Sequence, residues 1–364
     1  MWLRRLQIEN FRNIARLDVE FSPGFNFLHG SNGAGKTAFL EAIHVLARGR
    51  SFRSSQFGEL IRVASDALVI RVVGEDEHLG IQRVAYARGR TGNPEVRING
   101  QSGRRMSQVA ALFPLEIMTP TMVDLVFGGP SARRDWIDWG VFHVKHDYLS
   151  ILRRYLSALR QRNACLKSIA VGSMRMAELE PWTLEVAKLG VLVDHARSGH
   201  LRDMSQRVSE CLDELSGGFE VRISYRSGWP DGGDLANVLG ETVRREVKSG
   251  MTLAGPHRAD VELRSNGQSC ATTLSRGQAK VLASALMLAQ ADAIAETGRR
   301  KGIFLIDDIG SELDAKHRER LLEALLRRNC QVFATAVDPP EANALVRCQG
   351  PALFHVEHGA IVGA

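Results

Sequence analysis

Residues 30 to 37 read Gly30-Ser31-Asn32-Gly33-Ala34-Gly35-Lys36-Thr37 and match the phosphate-loop pattern G-x-x-x-x-G-K-[ST]. The apolar segment Phe25 to Leu28 before the loop predicts a strand, and Lys36 to Ala47 predicts a helix. Such a loop points backbone N–H groups at phosphate oxygens, the lysine reaches the β- and γ-phosphates, and the threonine hydroxyl ligates Mg²⁺. The stretch therefore predicts an α/β fold that binds a nucleotide, without saying which one.

The acidic partner of this loop is expected near residue 305. The apolar run Gly302 to Ile306 ends in Asp307 and Asp308, which is typical of a buried parallel strand with acid at its tip. Asp307 is predicted to hold Mg²⁺ through water, and Asp308 to act as a base or orienting group for the attacking water. Because opposite ends of the chain supply the two motifs, we expect one sheet assembled from both ends.

Changes of hydrophobic period divide the chain into three regions, 1–117, 118–250 and 251–364. The first and third combine strands and helices and are predicted to form one α/β unit. The strands predicted in the first region, besides the one before the loop, are Leu3 to Ile8, Ala15 to Phe21, Leu68 to Val73, Ile81 to Ala87 and Val96 to Asn99. The third region is predicted to contain Asp260 to Arg264, Arg276 to Ala295, Gly302 to Ile306, Ala315 to Arg327 and Gln331 to Thr335.

The middle region is predicted to be a mostly helical second domain, with its first helix beginning at Pro130. Two apolar seams suggest a short antiparallel helical arm, while core packing inside a helical lobe explains them equally well. The seams are Leu149, Leu152, Leu156, Leu159 and Leu166, and then Leu201, Met204, Val208, Cys211 and Leu215.

Composition describes a folded chain with a moderate positive charge. The 364 residues are 44% hydrophobic and carry 47 basic against 41 acidic side chains, a net +6 that favours polyanionic partners. We expect a cytoplasmic location, because the N-terminus lacks a secretory pattern and the most apolar stretch, Val281 to Ala295, is too short to span a membrane. The scattered cysteines indicate reduced, mostly buried thiols and neither disulfide nor zinc site.

A third motif, Leu274-Ser275-Arg276-Gly277-Gln278, precedes the acidic strand, and Ser311-Glu312-Leu313-Asp314 follows it. This order resembles the ABC-type ATPases, whose L-S-G-G-Q signature lies before the acidic strand. The resemblance implies an ABC-type ATPase head built from regions 1–117 and 251–364. It also implies ATP as ligand and a composite site in a homodimer. Ser275, Gly277 and Gln278 of one copy would cap the γ-phosphate held by the other, with Lys36, Asp308 and Ser275 as catalytic residues.

Further segments resemble the SMC/Rad50-like branch of these ATPases and, within it, the RecF family. Asn10-Phe11-Arg12-Asn13 makes Arg12 a candidate nucleotide contact by that resemblance. The RecF-like segments are Gly49 to Arg53, Ile117 to Pro120, Gly128 to Pro130 with Arg133-Arg134, Gly255 to Asp260, and the Ser275 motif. Membership would imply recombinational repair and replication-fork maintenance. The implied partners are single- and double-stranded DNA, RecR and RecO, which together support RecA loading at gaps.

Departures from the ABC pattern predict a weak, DNA-stimulated ATPase that acts as a switch. The second acid is Asp308 where most ABC ATPases have glutamate, and the shorter side chain should hold a base farther from the water. The strand that ends at Thr335 is followed by Ala336-Val337-Asp338 without a switch histidine, and no Q-loop glutamine is identified.

DNA contact is predicted on one helical stretch, where Arg153, Arg160 and Lys167 are seven residues apart and no acid occurs between Tyr148 and Ser168. Arg154 and Arg162 belong to the same basic group, and a solvated or acid-paired helix face explains it at least as well. Other readings of the whole chain are an ABC transporter ATPase subunit, a P-loop kinase for a small molecule, and a non-catalytic, ATP-gated DNA clamp.

Overall fold

The structure is a computed structural model and describes residues 1–297, 302–339 and 351–362. The strands are β1 (Trp2–Phe11), β2 (Ile14–Glu20), β3 (Phe25–His29), β4 (Ala67–Asp76), β5 (Gly80–Gly89), β6 (Glu95–Ile98), β7 (Leu115–Met118), β8 (Arg222–Arg226), β9 (Asp260–Ser265), β10 (Gln268–Ser269), β11 (Ile303–Ile306), β12 (Gln331–Ala336), β13 (Ala352–Glu357) and β14 (Ala360–Ile361). The α-helices are α1 (Lys36–Arg48), α2 (Met106–Leu112), α3 (Asp124–Phe127), α4 (Pro130–Val144), α5 (Tyr148–Ala170), α6 (Glu180–Leu215), α7 (Leu235–Ser249), α8 (Cys270–Thr273), α9 (Arg276–Ala295), α10 (Ile309–Glu312) and α11 (Ala315–Arg327).

The chain forms two compact units. The first, called the sheet unit here, comprises Met1–Met122, Cys211–Gly217 and Arg276–Ala364. The second, the helical unit, comprises Val123–Glu210 and Gly218–Ser275. Both ends of the chain thus contribute to the sheet unit, whereas the domain borders expected after residues 117 and 250 stay predictions.

A six-stranded sheet in the order β14-β13-β3-β12-β11-β7 positions the two phosphate-site motifs. The strands from β13 to β7 are parallel, and β14 is antiparallel to β13. Phe27 of β3 pairs with Ala334 of β12, and Phe333 of β12 pairs with Leu305 of β11. The loop after β3 and the acids after β11 therefore emerge at the same carboxyl edge, one strand apart, where ligands bind in such sheets.

Helix α1, which begins at the end of the phosphate loop, is almost entirely buried. Of its 13 residues, only Thr37 and Arg48 are not buried. Phe39 belongs to a core cluster that also includes Leu6 of β1 and Leu305 of β11. That cluster joins the six-stranded sheet to the antiparallel sheet β2-β1-β4-β5-β6. Each such large side chain contributes about 1.5–3 kcal/mol on burial, so the helix that presents the loop is firmly anchored.

The helical unit contains α3, α4, α5, α7 and most of α6, and also a three-stranded antiparallel sheet, β10-β9-β8. β9 was expected from the sequence, as was the start of α4 at Pro130. Strand β8 was not, because its five residues Arg222–Arg226 carry two arginines and a serine and show no long apolar run.

The first leucine seam is wrong in part. Leu156 is 40% exposed, and the buried face of α5 instead carries Tyr148, Tyr155, Leu159, Arg162 and Leu166. Tyrosine and arginine take these places because their polar ends find partners, which a search for leucines overlooks. The second seam, from Leu201 to Leu215, is buried as predicted.

Helices α5 and α6 run antiparallel where they meet. Arg162 donates to Thr183 at 3.0 Å. Two turns earlier in α5 and two turns later in α6, a Cβ at Gly190 would lie 3.4 Å from the ring of Tyr155. The antiparallel arrangement is thus present, and Tyr155 and Arg162 take part in it beside the buried leucines Leu159 and Leu166.

No helix in the described part of the chain is long and apolar enough to cross a membrane. Four cysteines, Cys165, Cys211, Cys270 and Cys330, are buried, as the sequence predicts. Cys348 lies outside the described residues.

Candidate nucleotide site

The loop between β3 and α1 takes a shape that only glycine permits at its first position. Gly30 has φ +147°, and a Cβ there would lie 2.3 Å from the carbonyl oxygen of Val356 on β13. Gly35 has φ +115° and ends the loop as the residue before α1. The tight curl exists because glycine tolerates both the positive φ and the close neighbour.

Lys36 folds back over this loop. Its Nζ donates to the carbonyl oxygens of Gly30 at 2.5 Å and of Ser31 at 2.9 Å, and the residue is 9% exposed. Burial lowers the pKa of Lys36, and the nearby carboxylates of Asp308 and Asp307 partly oppose that shift. An ammonium held at this place is suited to bind phosphate oxygens.

Asp307 links the two motifs directly. Its Oδ1 accepts a hydrogen bond from the hydroxyl of Thr37, 270 positions away, at 2.9 Å. The same oxygen accepts a second bond from Thr335 of β12, also at 2.9 Å. Carboxylate and hydroxyl oxygens this close form the type of donor set that Mg²⁺ accepts, with waters and phosphate oxygens completing its shell.

Thr335 is a site residue that the sequence reading missed. It lies at the end of the central strand β12, and its hydroxyl accepts a bond from the backbone N–H of Asp308 at 2.8 Å while donating to Asp307. The available signal was a threonine directly after the apolar residues Val332 to Ala334 of this strand. It became informative only once the strand order was known.

Asp308 adopts a left-handed backbone conformation, with φ +57° and ψ +62°. Such a conformation costs a non-glycine residue roughly 1–3 kcal/mol and is found preferentially at functional sites. It occurs immediately before α10 and near Lys36, where burial lowers the lysine pKa and the charge of the Asp308 carboxylate partly opposes that lowering.

Arg12 lies at the margin of the site and is held by Glu41 of α1. Its Nε and Nη2 donate to the Glu41 carboxylate at 2.9 and 2.8 Å, and this bonding raises the pKa of Arg12. The carboxylate of Glu41 is fully buried and also accepts a bond from Ser51 at 2.5 Å. Glu41 was not recognised from the sequence, because the contact joins residues 29 positions apart.

These residues open into a cleft of about 630 Å³ within the sheet unit. Its volume falls within the usual range for small-molecule sites. The polar side chains and glycines that line it are Arg12, Asn13, Asn32, Gly33, Gly35, Lys36, Thr37, Arg53, Glu59, Asp307, Asp308 and Thr335.

The third motif lies at the start of α9. Ser275, Gly277 and Gln278 are all exposed, and in the described structure Gly277 and Gln278 are not among the residues that line the cleft. The predicted basic stripe is placed as expected, with Arg153, Arg160 and Lys167 exposed on α5.

Arg162 requires a correction, because it was counted with the basic group predicted to contact DNA. Its side chain is fully buried and forms an ion pair with Glu246 of α7 at 2.7 Å. It also donates to Thr252 at 2.8 Å. A guanidinium in this position stabilises the helical unit and does not face solvent.

The family model of the RecF/RecN/SMC N-terminal domain matches residues 2–356 of this chain. The DNA replication and repair protein RecF of Actinobacillus pleuropneumoniae is 37% identical over 367 residues, with 99% of each chain covered. The protein of the same name from Vibrio vulnificus strain CMCP6 is also 37% identical, over 366 residues and 99% of each chain.

Solved structures agree with these matches. One described as the recombination mediator protein RecF-ATP in the RecFOR pathway is similar with a TM-score of 0.90 and 27% identity, covering 99% of this chain and 97% of that one. An Smc head domain with a coiled coil and joint from Pyrococcus yayanosii has a TM-score of 0.61 at 12% identity, covering 100% and 97%, and shows the shared fold.

Proposed function

We propose that this chain, which belongs to the RecF family of DNA replication and repair proteins, binds ATP at Gly30 to Thr37. ATP binding in turn controls the binding of the chain to DNA. The observation that carries the proposal is the contact of Asp307 with Thr37, which joins the phosphate loop to the acidic strand inside one cleft. A transporter ATPase subunit is not favoured, because the matched relatives are DNA repair proteins.

Each residue of the cleft has a distinct role in this proposal. The backbone from Gly30 to Gly35 surrounds the phosphates, and Lys36 supplies positive charge to them. Thr37 and Asp307 hold Mg²⁺, which would neutralise charge developing on the phosphates. Thr335 fixes the orientation of Asp307, and Asp308 orients the attacking water.

A second copy of the chain completes the site. Ser275, Gly277 and Gln278 are exposed, so they are accessible to another molecule. If they cap the γ-phosphate of the partner's ATP, nucleotide binding favours the dimer, and hydrolysis separates the copies. Hydrolysis is proposed to be slow, since Asp308 is one methylene shorter than the glutamate usual in ABC ATPases.

The DNA ligand is proposed to contact Arg153, Arg160 and Lys167 of α5, without reading sequence. The description of a solved relative as a recombination mediator in the RecFOR pathway supports RecR and RecO as partners. Single- and double-stranded DNA are both proposed as ligands. In this proposal, the ATP-controlled binding of the chain to DNA supports RecA loading at gaps.

Fluorescence anisotropy of labelled DNA, with and without ATP and Mg²⁺, tests the proposal. We expect ATP to strengthen DNA binding in the natural chain and to have no effect in Lys36→Ala. Equal DNA affinity with and without ATP would contradict it.

The α5 stripe is tested separately by the salt dependence of DNA binding. Arg153→Glu with Arg160→Glu should reduce the slope of log K against log salt by about two. Arg202→Glu on α6 is the matched control, as Arg202 is also exposed and basic. An unchanged slope in the double variant would remove α5 from the DNA surface.

A further inference from the structure

The loop Gly255 to Asp260, between α7 and β9 in the helical unit, has been given no role so far. Its centre is a single 3₁₀ turn, Pro256–Arg258. Side chains from α4, α5 and α6 form hydrogen bonds with this loop at several points. These contacts hold the loop in place while one of its side chains stays exposed.

His257 is fixed by both ring nitrogens. Its Nε2 lies 3.0 Å from the carbonyl oxygen of Thr252, which can only accept, so Nε2 carries the proton. Its Nδ1 then accepts from the hydroxyl of Tyr155 on α5, at 2.7 Å. Burial lowers the pKa of His257, in agreement with the neutral ring that this bonding requires.

Three arginines hold the loop on either side of His257. Arg197 of α6 donates to the carbonyl oxygen of Pro256 at 2.7 Å, and Arg134 of α4 donates to that of Ala259 at 2.8 Å. Arg133 of α4 binds the Asp260 carboxylate with two bonds, of 2.8 and 3.0 Å. Charge-assisted bonds of this type are about twice as strong as neutral ones, so the loop has little freedom to move.

The backbone is packed as closely as the side chains. Gly255 has φ +131°, and a Cβ there would lie 2.9 Å from the Tyr155 hydroxyl. On the other side, a Cβ at Gly228 would lie 2.4 Å from the carbonyl oxygen of Gly255. The loop is therefore restrained from two directions.

Arg258 is the exception within this loop. It is exposed, and its side chain has no ion-pair or hydrogen-bond partner among residues 1–297, 302–339 and 351–362. Its own backbone N–H is fixed, donating to Gly255 at 2.8 Å. The loop backbone that carries this guanidinium is thus already held in place, so only the Arg258 side chain has to be ordered when it binds an anion, which lowers the entropic cost of binding.

We propose that Arg258 binds a phosphate group of a ligand outside its own chain. The planar guanidinium can donate two parallel bonds to phosphate oxygens, which is the geometry that arginine offers and lysine does not. The phosphate belongs either to a DNA backbone or to the nucleotide held by a second copy. These two candidate sources rest on the function proposed above, whereas the assignment of Arg258 as a phosphate-binding residue does not.

Arg258→Gln, Arg258→Lys and the control Arg202→Gln are compared in two assays of the full-length protein. One measures the affinity for labelled DNA without nucleotide; the other measures ATP-dependent self-association without DNA. Arg258→Gln should weaken one of them by about tenfold, the loss expected for a charge-assisted hydrogen bond. Arg258→Lys should recover part of it, and Arg202→Gln should change either by less than about twofold. The assay that responds identifies the source of the phosphate.

Tyr155→Phe tests whether the loop must be held in place. It removes the bond to His257 and leaves Arg258 intact, so it should weaken the same assay, by less than Arg258→Gln does. Wild-type behaviour of Arg258→Gln in both assays, with an unchanged melting temperature, would overturn the inference. If Lys36→Ala nevertheless abolished the effect of ATP on DNA binding, the proposed function would stand although the inference about Arg258 had failed.

Discussion

The two units contain ion pairs of similar geometry in very different surroundings. In the sheet unit, Arg12 contacts Glu41 at 2.8 Å, and the arginine side chain keeps 21% of its surface exposed at the cleft. In the helical unit, Arg162 contacts Glu246 at 2.7 Å, and both side chains are 0% exposed. One pair borders a space for a ligand, and the other is closed on all sides.

The difference teaches that burial, more than bond length, indicates what a charged pair does. The buried pair is further satisfied by Thr252 and Thr183, so removing one member leaves a charge without compensation. At the cleft, polar groups are arranged around a space where a ligand completes their bonding. Substitutions in the helical unit should therefore reduce stability, whereas those in the cleft should reduce binding.

The largest effect is expected from Glu246→Ala. Removing one member of a buried ion pair costs about 3–5 kcal/mol of unfolding free energy, because Arg162 is left buried and unpaired. Urea unfolding followed by circular dichroism measures it. Glu41→Ala is the matched variant in the sheet unit and should cost clearly less, because the Arg12 side chain that it leaves unpaired is 21% exposed. Equal losses in the two variants would refute the contrast.

Lys36→Ala should have the next largest effect, and on binding instead of stability. Losing a charge-assisted contact with phosphate corresponds to about 1.5–3 kcal/mol, or roughly 10- to 150-fold in ATP affinity. Calorimetric titration with ATP and Mg²⁺ gives the affinity, and the melting temperature without nucleotide should change little. A large drop in that temperature with unchanged affinity would assign Lys36 to structure alone.

Acidification should weaken both units through buried histidines. Burial lowers the pKa of His44 in α1 to about 3 and that of His200 in α6 to about 4, from 6.5 in the unfolded chain. Each folded-state pKa is depressed, so the stabilisation is complete above about pH 6.5 and is lost as the pH falls towards those values. Each group can contribute up to about 1.4 kcal/mol per pH unit in that window. Urea unfolding at pH 7 and 5 should show the loss, and His44→Gln should reduce it; an unreduced loss would exclude His44.

The smallest effect is expected from Thr335→Val, which keeps the shape of the side chain but removes the hydroxyl between Asp307 and Asp308. We expect about 1 kcal/mol of transition-state stabilisation to be lost, or roughly fivefold in ATP turnover measured with DNA present. Thr335→Ser retains the hydroxyl and should stay near the natural rate. Identical rates in all three proteins would show that Asp307 needs no support from β12.

Local sequence patterns predicted the parts of the fold that depend on neighbouring residues. Helix α11 has the predicted bounds, Ala315 to Arg327, because its capping residue and its apolar period lie within one short window. The strand before the phosphate loop and the helix after it were predicted for the same reason. Residues of the predicted phosphate loop line the cleft of the sheet unit, and their role in binding a nucleotide stays a prediction.

Residues whose role depends on distant contacts were predicted poorly. Arg162 was counted only as one of five basic residues between Tyr148 and Ser168, because its partner Glu246 lies 84 positions away and the pairing is not visible in the sequence. Thr335 gained its role from strand order, since β12 separates the two motif-bearing strands. In both cases the sequence showed the side chain's chemistry, while the tertiary fold decided what that side chain contacts.

Sedimentation velocity of the full chain, with and without ATP, Mg²⁺ and DNA, tests the central claim that the cleft is half of a shared site. The account predicts a dimer that forms with ATP and is absent in Lys36→Ala. It also predicts that Ser275→Arg, which would place a bulky cation where the partner's γ-phosphate is expected, prevents that dimer while leaving ATP binding intact. A protein that stays monomeric under every condition, while still binding ATP, would contradict the account.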